Sequence, residues 1–284
     1  MSASLASSIR RHWLPCLAAL TAILTVTAAL AATAVASGRP AADCQPFSGP
    51  TCLFPFPDNR FTRRDSSSHT GVRVHLPASA MPSNTAGQRI AIGPYDRNDG
   101  FSPGSAIVLH VPGLDNQRAL IRTGAVPLTD MARSFSKRQP IVVIDEVTGQ
   151  RQMIWAELDA NAKAAASTDL LIHPGKDFTD GHTYVVALRN LRTARGNAIR
   201  APRWFRLLRD GGGLPAAERS QRGRYERIFK VLERARIARN RSLYEAWDFT
   251  VASRQDLTSR MLAIRNSAFG QLGDTNLADS AVQG

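Results

Sequence analysis

The stretch of sequence that decides the fold is residues 168–202, TDLLIHPGKDFTDGHTYVVALRNLRTARGNAIRAP. Within it, residues 170–172 and 184–188 are rich in the aliphatic, aromatic and β-branched side chains that suit a half-buried strand. Turn-forming residues follow each run, Pro174 with Gly175 after the first and residues 195–197 (RGN) after the second. The stretch therefore predicts strand, turn, strand and turn, the pattern of an immunoglobulin-like (Ig-like) β-sandwich.

Other short strand patterns surround this stretch. In each of them apolar residues are continuous or alternate with polar ones. The runs are residues 72–76, 106–111, 141–144, 153–158 and 247–251. Turn residues at 146–150 (EVTGQ) predict that the third and fourth runs form a hairpin. Together the runs predict a mainly β protein with an Ig-like β-sandwich over residues 72–253.

A helical pattern interrupts the strands before the last of them. Residues 216–237 are predicted to be helical because apolar residues recur at i, i+3, i+4 and i+7. These residues are Tyr225, Ile228, Phe229 and Leu232. A glycine run at 211–213 precedes the helix, so we predict a helical insertion over residues 215–238.

The opposite face of the insertion helix is basic. The whole chain has a net charge of +13, which favours contact with acidic surfaces. Arg222, Arg227 and Arg234 are candidate contacts for an anionic envelope surface. The simpler interpretation is a solvated helix face, partly balanced by glutamates of the same helix, with envelope attraction as a side effect.

The first 36 residues have the pattern of an export signal. Arg10 and Arg11 precede an uncharged run that ends in Ala-Val-Ala at residues 34–36, so cleavage is expected after Ala36. The arginine pair loosely resembles a twin-arginine signal, and an uncleaved membrane anchor is the alternative. Both a cleaved signal and an uncleaved anchor predict a secreted or cell-envelope location. Export also argues against nucleic acid as a partner.

The segment after the signal, residues 37–71, is predicted to be irregular because it is rich in Pro, Ser and Gly. Cys44 and Cys52 lie in it, and an even number of cysteines in an oxidising compartment predicts a disulfide between them. The same segment contains LFPFPDNRF at residues 53–61. We expect this motif to lie extended over the sandwich with its phenylalanines in apolar pockets, and an exposed binding motif is the alternative.

The C-terminal region, residues 254–284, is predicted to be a helix and a polar tail. Ser253 followed by Asp256 is a helix-capping signature. An apolar stripe with helical spacing follows the cap. It consists of Leu257, Met261, Ile264, Ala268 and Leu272. The stripe predicts either that the helix packs back on the sandwich or that it leads to a domain absent from this chain.

Groups with an evident chemical task are few. His173 and His182 flank a turn that contains Asp177 and Asp180, and two imidazoles with a carboxylate could meet there. A zinc site needs three or four converging ligands, and turn aspartates and strand-end histidines are common without metal. Residues 66–69 (SSSH) are better explained as a polar loop. We therefore predict no catalytic, cofactor-binding or metal-binding residue in this chain.

Several motifs, in order, resemble the N-terminal Ig-like domain of bacterial virulence-factor-type lipases and the Ig-like domains of bacterial surface proteins. They are residues 54–61 (FPFPDNRF), 99–102 (DGFS), 171–197 and 247–250 (WDFT). The resemblance covers about residues 44–253. It implies that an α/β-hydrolase domain, with its nucleophile in a Gly-x-Ser-x-Gly elbow, follows the Ig-like domain. We identify no such elbow in this chain, so no catalytic residue is carried over.

Three functions follow from these observations. The first is an exported, non-catalytic Ig-like module that supports or positions a lipase-like or esterase-like α/β-hydrolase domain or partner. The second is that the chain is part of an active secreted serine ester hydrolase. The third is an envelope-binding surface module. No cofactor is expected for any of them.

Overall fold

The computed structural model describes residues 53–216 and 219–273. The predicted signal at residues 1–36 and the predicted Cys44–Cys52 disulfide lie outside this part of the chain. Across the described residues, no helix combines the length and the apolar character that crossing a membrane requires.

Eight strands and four α-helices form the described part of the chain. The strands are β1 (Thr62–Arg64), β2 (Val72–Val74), β3 (Ile107–His110), β4 (Ile141–Asp145), β5 (Ile154–Leu158), β6 (Asp169–Pro174), β7 (Thr183–Arg189) and β8 (Leu243–Thr250). The helices are α1 (Gln117–Thr123), α2 (Arg203–Arg209), α3 (Gln221–Arg234) and α4 (Arg254–Leu272). Short 3-10 turns lie at Asn59–Phe61, Ala78–Ala80, Leu128–Phe135 and Ala165–Ser167.

The named strands form three antiparallel sheets, with strand orders β1-β2, β3-β6-β5 and β4-β7-β8. The predicted hairpin of β4 and β5 is wrong, because β4 pairs with β7 and β5 pairs with β6. A single bridge between Ile144 and Arg151 joins the two segments. All five residues of β4 are buried, whereas burial alternates along β5, so the two strands suit different sheets.

The stretch at residues 168–202 supplies the central strand of both three-stranded sheets. Its two predicted strands are confirmed as β6 and β7. They do not belong to one sheet, however, because β6 lies in β3-β6-β5 and β7 lies in β4-β7-β8. The turn between them carries Phe178, whose ring lies 4.7 Å from that of Tyr184 and 5.1 Å from that of Phe249. One hydrophobic cluster includes the buried side chains of both sheets.

Helices cover the sheet β4-β7-β8 on one side. Helix α3 contacts β7 and β8, and its predicted apolar stripe at Tyr225, Ile228, Phe229 and Leu232 is buried. Helix α2 packs beside it, with the ring of Phe205 6.2 Å from that of Phe229. All eight residues of β8 are consequently buried. The antiparallel sheets are as predicted, but the architecture is a mixture of sheets and helices and not mainly β. One helix, α3, lies in the predicted insertion at residues 215–238, and α1, α2 and α4 lie outside it.

Candidate functional site

The free edge of β8 is covered by two irregular segments that carry sequence motifs. Asn59, in the first motif, accepts a hydrogen bond from the Thr250 backbone N–H through Oδ1 at 2.9 Å and donates one to Thr250 Oγ1 through Nδ2 at 3.0 Å. Phe101, in the second, donates its backbone N–H to the Thr250 carbonyl at 2.8 Å. The edge is therefore closed to another strand along this part of β8.

The motifs that carried the family resemblance converge here. Trp247 is completely buried and donates its indole N–H to the Pro57 carbonyl at 2.9 Å. A side chain at Gly100 would place Cβ 2.5 Å from the backbone nitrogen of Ala252, so only glycine fits this approach. Residues 54–61, 99–102 and 247–250 thus form one joint around β8, although they are far apart in sequence.

A buried ionic network ties α3 to this joint. Asp248 is fully buried and Asp58 is 2% exposed. Arg224 reaches both carboxylates, with Nε 2.5 Å from Asp248 Oδ1 and Nη2 2.5 Å from Asp58 Oδ1. Burial alone would lower the pKa of Arg224, but the two carboxylates outweigh it, so the pKa lies above its usual value. The network holds together residues 54–61, α3 and β8.

The predicted anionic-surface residues have different environments. Arg222 donates from Nη2 to the Gly212 carbonyl at 2.9 Å. Arg227 contacts Asp248, and its Nε lies 3.5 Å from Glu146 Oε1. Burial raises the pKa of the Glu146 carboxyl, and Arg227 opposes that shift. Arg234 is exposed near the end of α3. Contact of the three arginines with an anionic surface stays a prediction, but two of them already have acceptors within the chain.

The start of α4 is held by a second set of contacts, the α4 root, which consists of Asp99, Asp180, Ser253, Arg254 and Asp256. The predicted cap is confirmed, since Ser253 Oγ accepts the Asp256 backbone N–H at 3.1 Å. Asp99, 3% exposed, accepts the Ser253 N–H at 2.9 Å and donates its own N–H to Asp256 Oδ2 at 3.3 Å. Burial raises the pKa of the Asp256 carboxyl. Arg254 Nε lies 3.5 Å from Asp180 Oδ2.

Beyond its root, α4 contains no buried side chain. Met261 is 67% exposed and Ile264 is 55% exposed. Leu257, Leu262 and Leu272 are exposed as well. The predicted alternative that this helix packs back on the sandwich is therefore wrong, because within residues 53–216 and 219–273 nothing covers the stripe.

Four histidines form separate pairs with carboxylates. The pairs are His75–Asp96, His110–Asp169, His173–Glu157 and His182–Asp145. His173 and His182, the two histidines of the metal alternative, thus have different partners and lie at different sheets. In the part of the chain that the structure describes, no three His, Cys, Asp or Glu residues are grouped as metal ligands would be. In the same residues, no Ser, Thr or Cys side chain is hydrogen-bonded to these imidazoles.

Residues 100–104 (GFSPG) match the letters Gly-x-Ser-x-Gly, which the sequence interpretation missed. A nucleophile elbow requires a strand before the serine and a helix after it. Here Phe101 forms an isolated bridge with Val251, Ser102 is exposed in the loop, and the next element is the strand β3. The letters of the motif are therefore present without the backbone that gives the serine its function.

The chain was compared with known proteins. No family model matches it, and neither the curated proteins nor the solved structures contain a match. A function for this chain is therefore inferred from the geometry of its described residues. It consists of a joint around β8 and a helix that leaves this joint from a fixed root.

Proposed function

We propose that this chain is an exported, non-catalytic Ig-like module that positions an α/β-hydrolase-like domain or partner through α4. The observation that carries the proposal is the α4 root. Asp99, Ser253 and Asp256 fix the first turn of the helix, while the apolar side chains further along it are exposed. A helix that is held at one end and exposes apolar side chains suits a connector that a second domain covers.

We also propose that the two three-stranded sheets form an Ig-like sandwich. If β3 is taken as strand B, the orders β3-β6-β5 and β4-β7-β8 correspond to the B-E-D and C-F-G sheets of that fold. Phe56 pairs with Val108 of β3, where strand A would lie. Tyr184, at the start of β7, accepts the Thr179 backbone N–H through its hydroxyl at 2.8 Å. A tyrosine in that position, bonded to the backbone just upstream, is a hallmark of Ig-like sandwiches.

The non-catalytic part of the proposal is tested by ester hydrolysis. The purified chain is expected to hydrolyse short p-nitrophenyl esters no faster than the same chain after heat denaturation. The reason is that Ser102 lies in an exposed loop and not in a strand–turn–helix elbow. The Ser102→Ala variant is the control. Turnover that this substitution abolishes would contradict the proposal and support the alternative of an active serine ester hydrolase.

The positioning part is tested on the coding sequence and on α4. The reading frame is expected to continue past the Gly284 codon into a strand–turn–helix segment with Gly-x-Ser-x-Gly, and an in-frame stop would contradict a joined domain. In the longer protein, the double substitution Met261→Glu with Ile264→Glu places charges in the covered face. It is expected to lower the melting temperature of the hydrolase domain by about 5 °C or more.

A matched control exists on the same helix. Ser259 and Asn266 lie about opposite the stripe, at 100° per residue. Glutamates at these two positions should leave the melting temperature unchanged. If the chain instead forms dimers that only the Met261→Glu and Ile264→Glu pair dissociates, a second copy covers α4 and the positioning role is contradicted.

A further inference from the structure

A groove beside α2 is lined mainly by arginines. We call it the arginine groove, and its charged residues are Arg200, Arg203, Arg206, Arg209, Asp210 and Arg241. Its volume is about 780 Å³ and it is open to solvent. The groove reaches the start of β8, where Arg209 contacts the Leu243 carbonyl, and none of its residues belongs to the motifs that resemble a known family.

One arginine of the groove is used within the fold. Arg209 is 5% exposed and donates two hydrogen bonds to the Asp210 carboxylate, from Nε to Oδ1 at 2.7 Å and from Nη2 to Oδ2 at 2.9 Å. Its Nη1 donates to the Leu243 carbonyl at 2.8 Å. The Arg209 guanidinium thereby lowers the pKa of Asp210, so the carboxylate stays ionised. Among the described residues, Asp210 is the one acid that lines the groove, and it is paired with Arg209 and attracts Arg241 and Arg206 at longer range.

The other four arginines have no such partner. Among the described residues, no carboxylate oxygen lies within 4.0 Å of a guanidinium nitrogen of Arg200, Arg203, Arg206 or Arg241. Arg203 and Arg206 are three residues apart on α2, which places them on one face. Ile199 and Leu207 supply apolar walls. Apolar walls around charges of one sign concentrate the electric field in a cleft, so the groove attracts anions.

We propose that the arginine groove is a binding site for the phosphate groups of a ligand that carries at least two of them. The guanidinium group is planar and always charged, and it binds phosphate oxygens through two parallel hydrogen bonds. Four unpaired arginines in one groove match the charge density of linked phosphates better than that of a single small anion. The volume of about 780 Å³ holds several phosphate groups.

The experiment is a calorimetric titration of the purified chain with sodium tripolyphosphate at low ionic strength. We expect saturable binding that weakens as salt is added. The double substitution Arg203→Gln with Arg206→Gln is expected to weaken it about tenfold or more, because each removes charge-assisted hydrogen bonds. Arg241→Gln, in the loop before β8, is a second variant that leaves α2 intact and is expected to weaken binding in the same direction.

The matched control is Arg118→Gln with Arg122→Gln. These exposed arginines lie on α1, which has seven residues like α2, so the control removes the same charge from a similar helix elsewhere. The control is expected to bind tripolyphosphate within about twofold of the unchanged protein, since screened charges outside the groove contribute little. No binding, or an equal loss in both double variants, would overturn the proposal.

Two further titrations separate the sources of the anion. Vesicles that contain cardiolipin, a lipid with two phosphate groups, test a lipid headgroup, and polyglutamate tests a carboxylate polymer. Groove-dependent binding of the vesicles would support the proposal with lipid as the source, and groove-dependent binding of tripolyphosphate alone would support a soluble phosphate ligand. Polyglutamate that binds as tightly through the same arginines would overturn the assignment to phosphate.

Discussion

Replacement of Arg224 by methionine is expected to lower the free energy of unfolding by about 3–5 kcal/mol, because it removes one partner from a buried ionic network. The side chain of Arg224 is 16% exposed, and the side chains of Asp248 and Asp58, its carboxylate partners, are 0% and 3% exposed. Without the guanidinium, Asp58 loses its closest positive charge and Asp248 loses one of its two arginine partners. Asp248 keeps Arg227 and Asn59, but Asp58 keeps only a 3.7 Å contact with Arg60 besides its backbone hydrogen bond.

Urea denaturation of the purified variants measures this effect. Lys230→Met is the control, because Lys230 is an exposed residue of the same helix, and it should change the stability by less than about 0.5 kcal/mol. The Asp248→Asn substitution alone and in combination with Arg224→Met completes a double-mutant cycle, whose coupling energy reports the pair directly. A loss below about 1 kcal/mol for Arg224→Met would show that the network does not hold the joint together.

Replacement of Glu245 by glutamine is expected to stabilise the protein increasingly as the pH rises. Glu245 lies in β8, is 5% exposed, and burial raises its pKa to about 8. Arg60 opposes this shift and Asp58 adds to it. Two buried tyrosines, Tyr225 and Tyr244, are also close, and burial raises the pKa of both. The carboxyl group is therefore protonated in the folded chain at neutral pH.

The direction of this pH dependence follows from the number of protons that the folded and unfolded states bind. In the unfolded chain the carboxyl has its ordinary pKa of 4.5, so between 4.5 and about 8 the folded state binds more protons than the unfolded state. The stability contributed by Glu245 is thus complete below 4.5 and is lost as the pH rises through about 8. Each pH unit in this window lowers the free energy of unfolding by about 1.4 kcal/mol, which adds up to about 4–5 kcal/mol across the window.

Urea denaturation from about pH 4 to pH 9 tests this expectation through the difference in stability between Glu245→Gln and the unchanged protein. That difference should grow steadily across the window and level off above it. Glu233→Gln, an exposed residue of α3, is the control and should keep a constant difference. A difference for Glu245→Gln that does not depend on pH would show that Glu245 is ionised in the folded protein.

Local periodicity in the sequence was sufficient to place most of the elements. The strands β6, β7 and β8, the buried stripe of α3 and the Ser253 cap all follow patterns that span fewer than ten residues. Helices α1 and α2 were not predicted, although α1 carries local signals and α2 has no side-chain cap. Asn116 caps α1 with its side chain, and Gly124 ends it with a positive φ of 80°. Each helix spans only seven residues, which is too few for a clear helical period in the sequence.

Pairing between distant residues could not be predicted in the same way. The hairpin of β4 and β5 was expected because the two strands are neighbours in sequence, yet β4 pairs with β7. Both faces of β4 are buried, and which sheet can offer β4 a place with both faces covered is determined only by the complete core. The basic pattern of α3 had the same ambiguity, because a helical period does not show that Arg224 turns inward to Asp248.

The sequence by itself determined that residues 168–202 would form two strands joined by a turn, since strand and turn preferences act between near neighbours. The tertiary structure decided that these strands are the centres of two different sheets. It also brought two distant motifs, residues 54–61 and 99–102, to the third motif in β8. It buried two aspartates around Arg224 and placed four arginines without an ion pair around one groove. Burial and charge pairing between distant segments determine these features, and both arise only when the whole chain is packed.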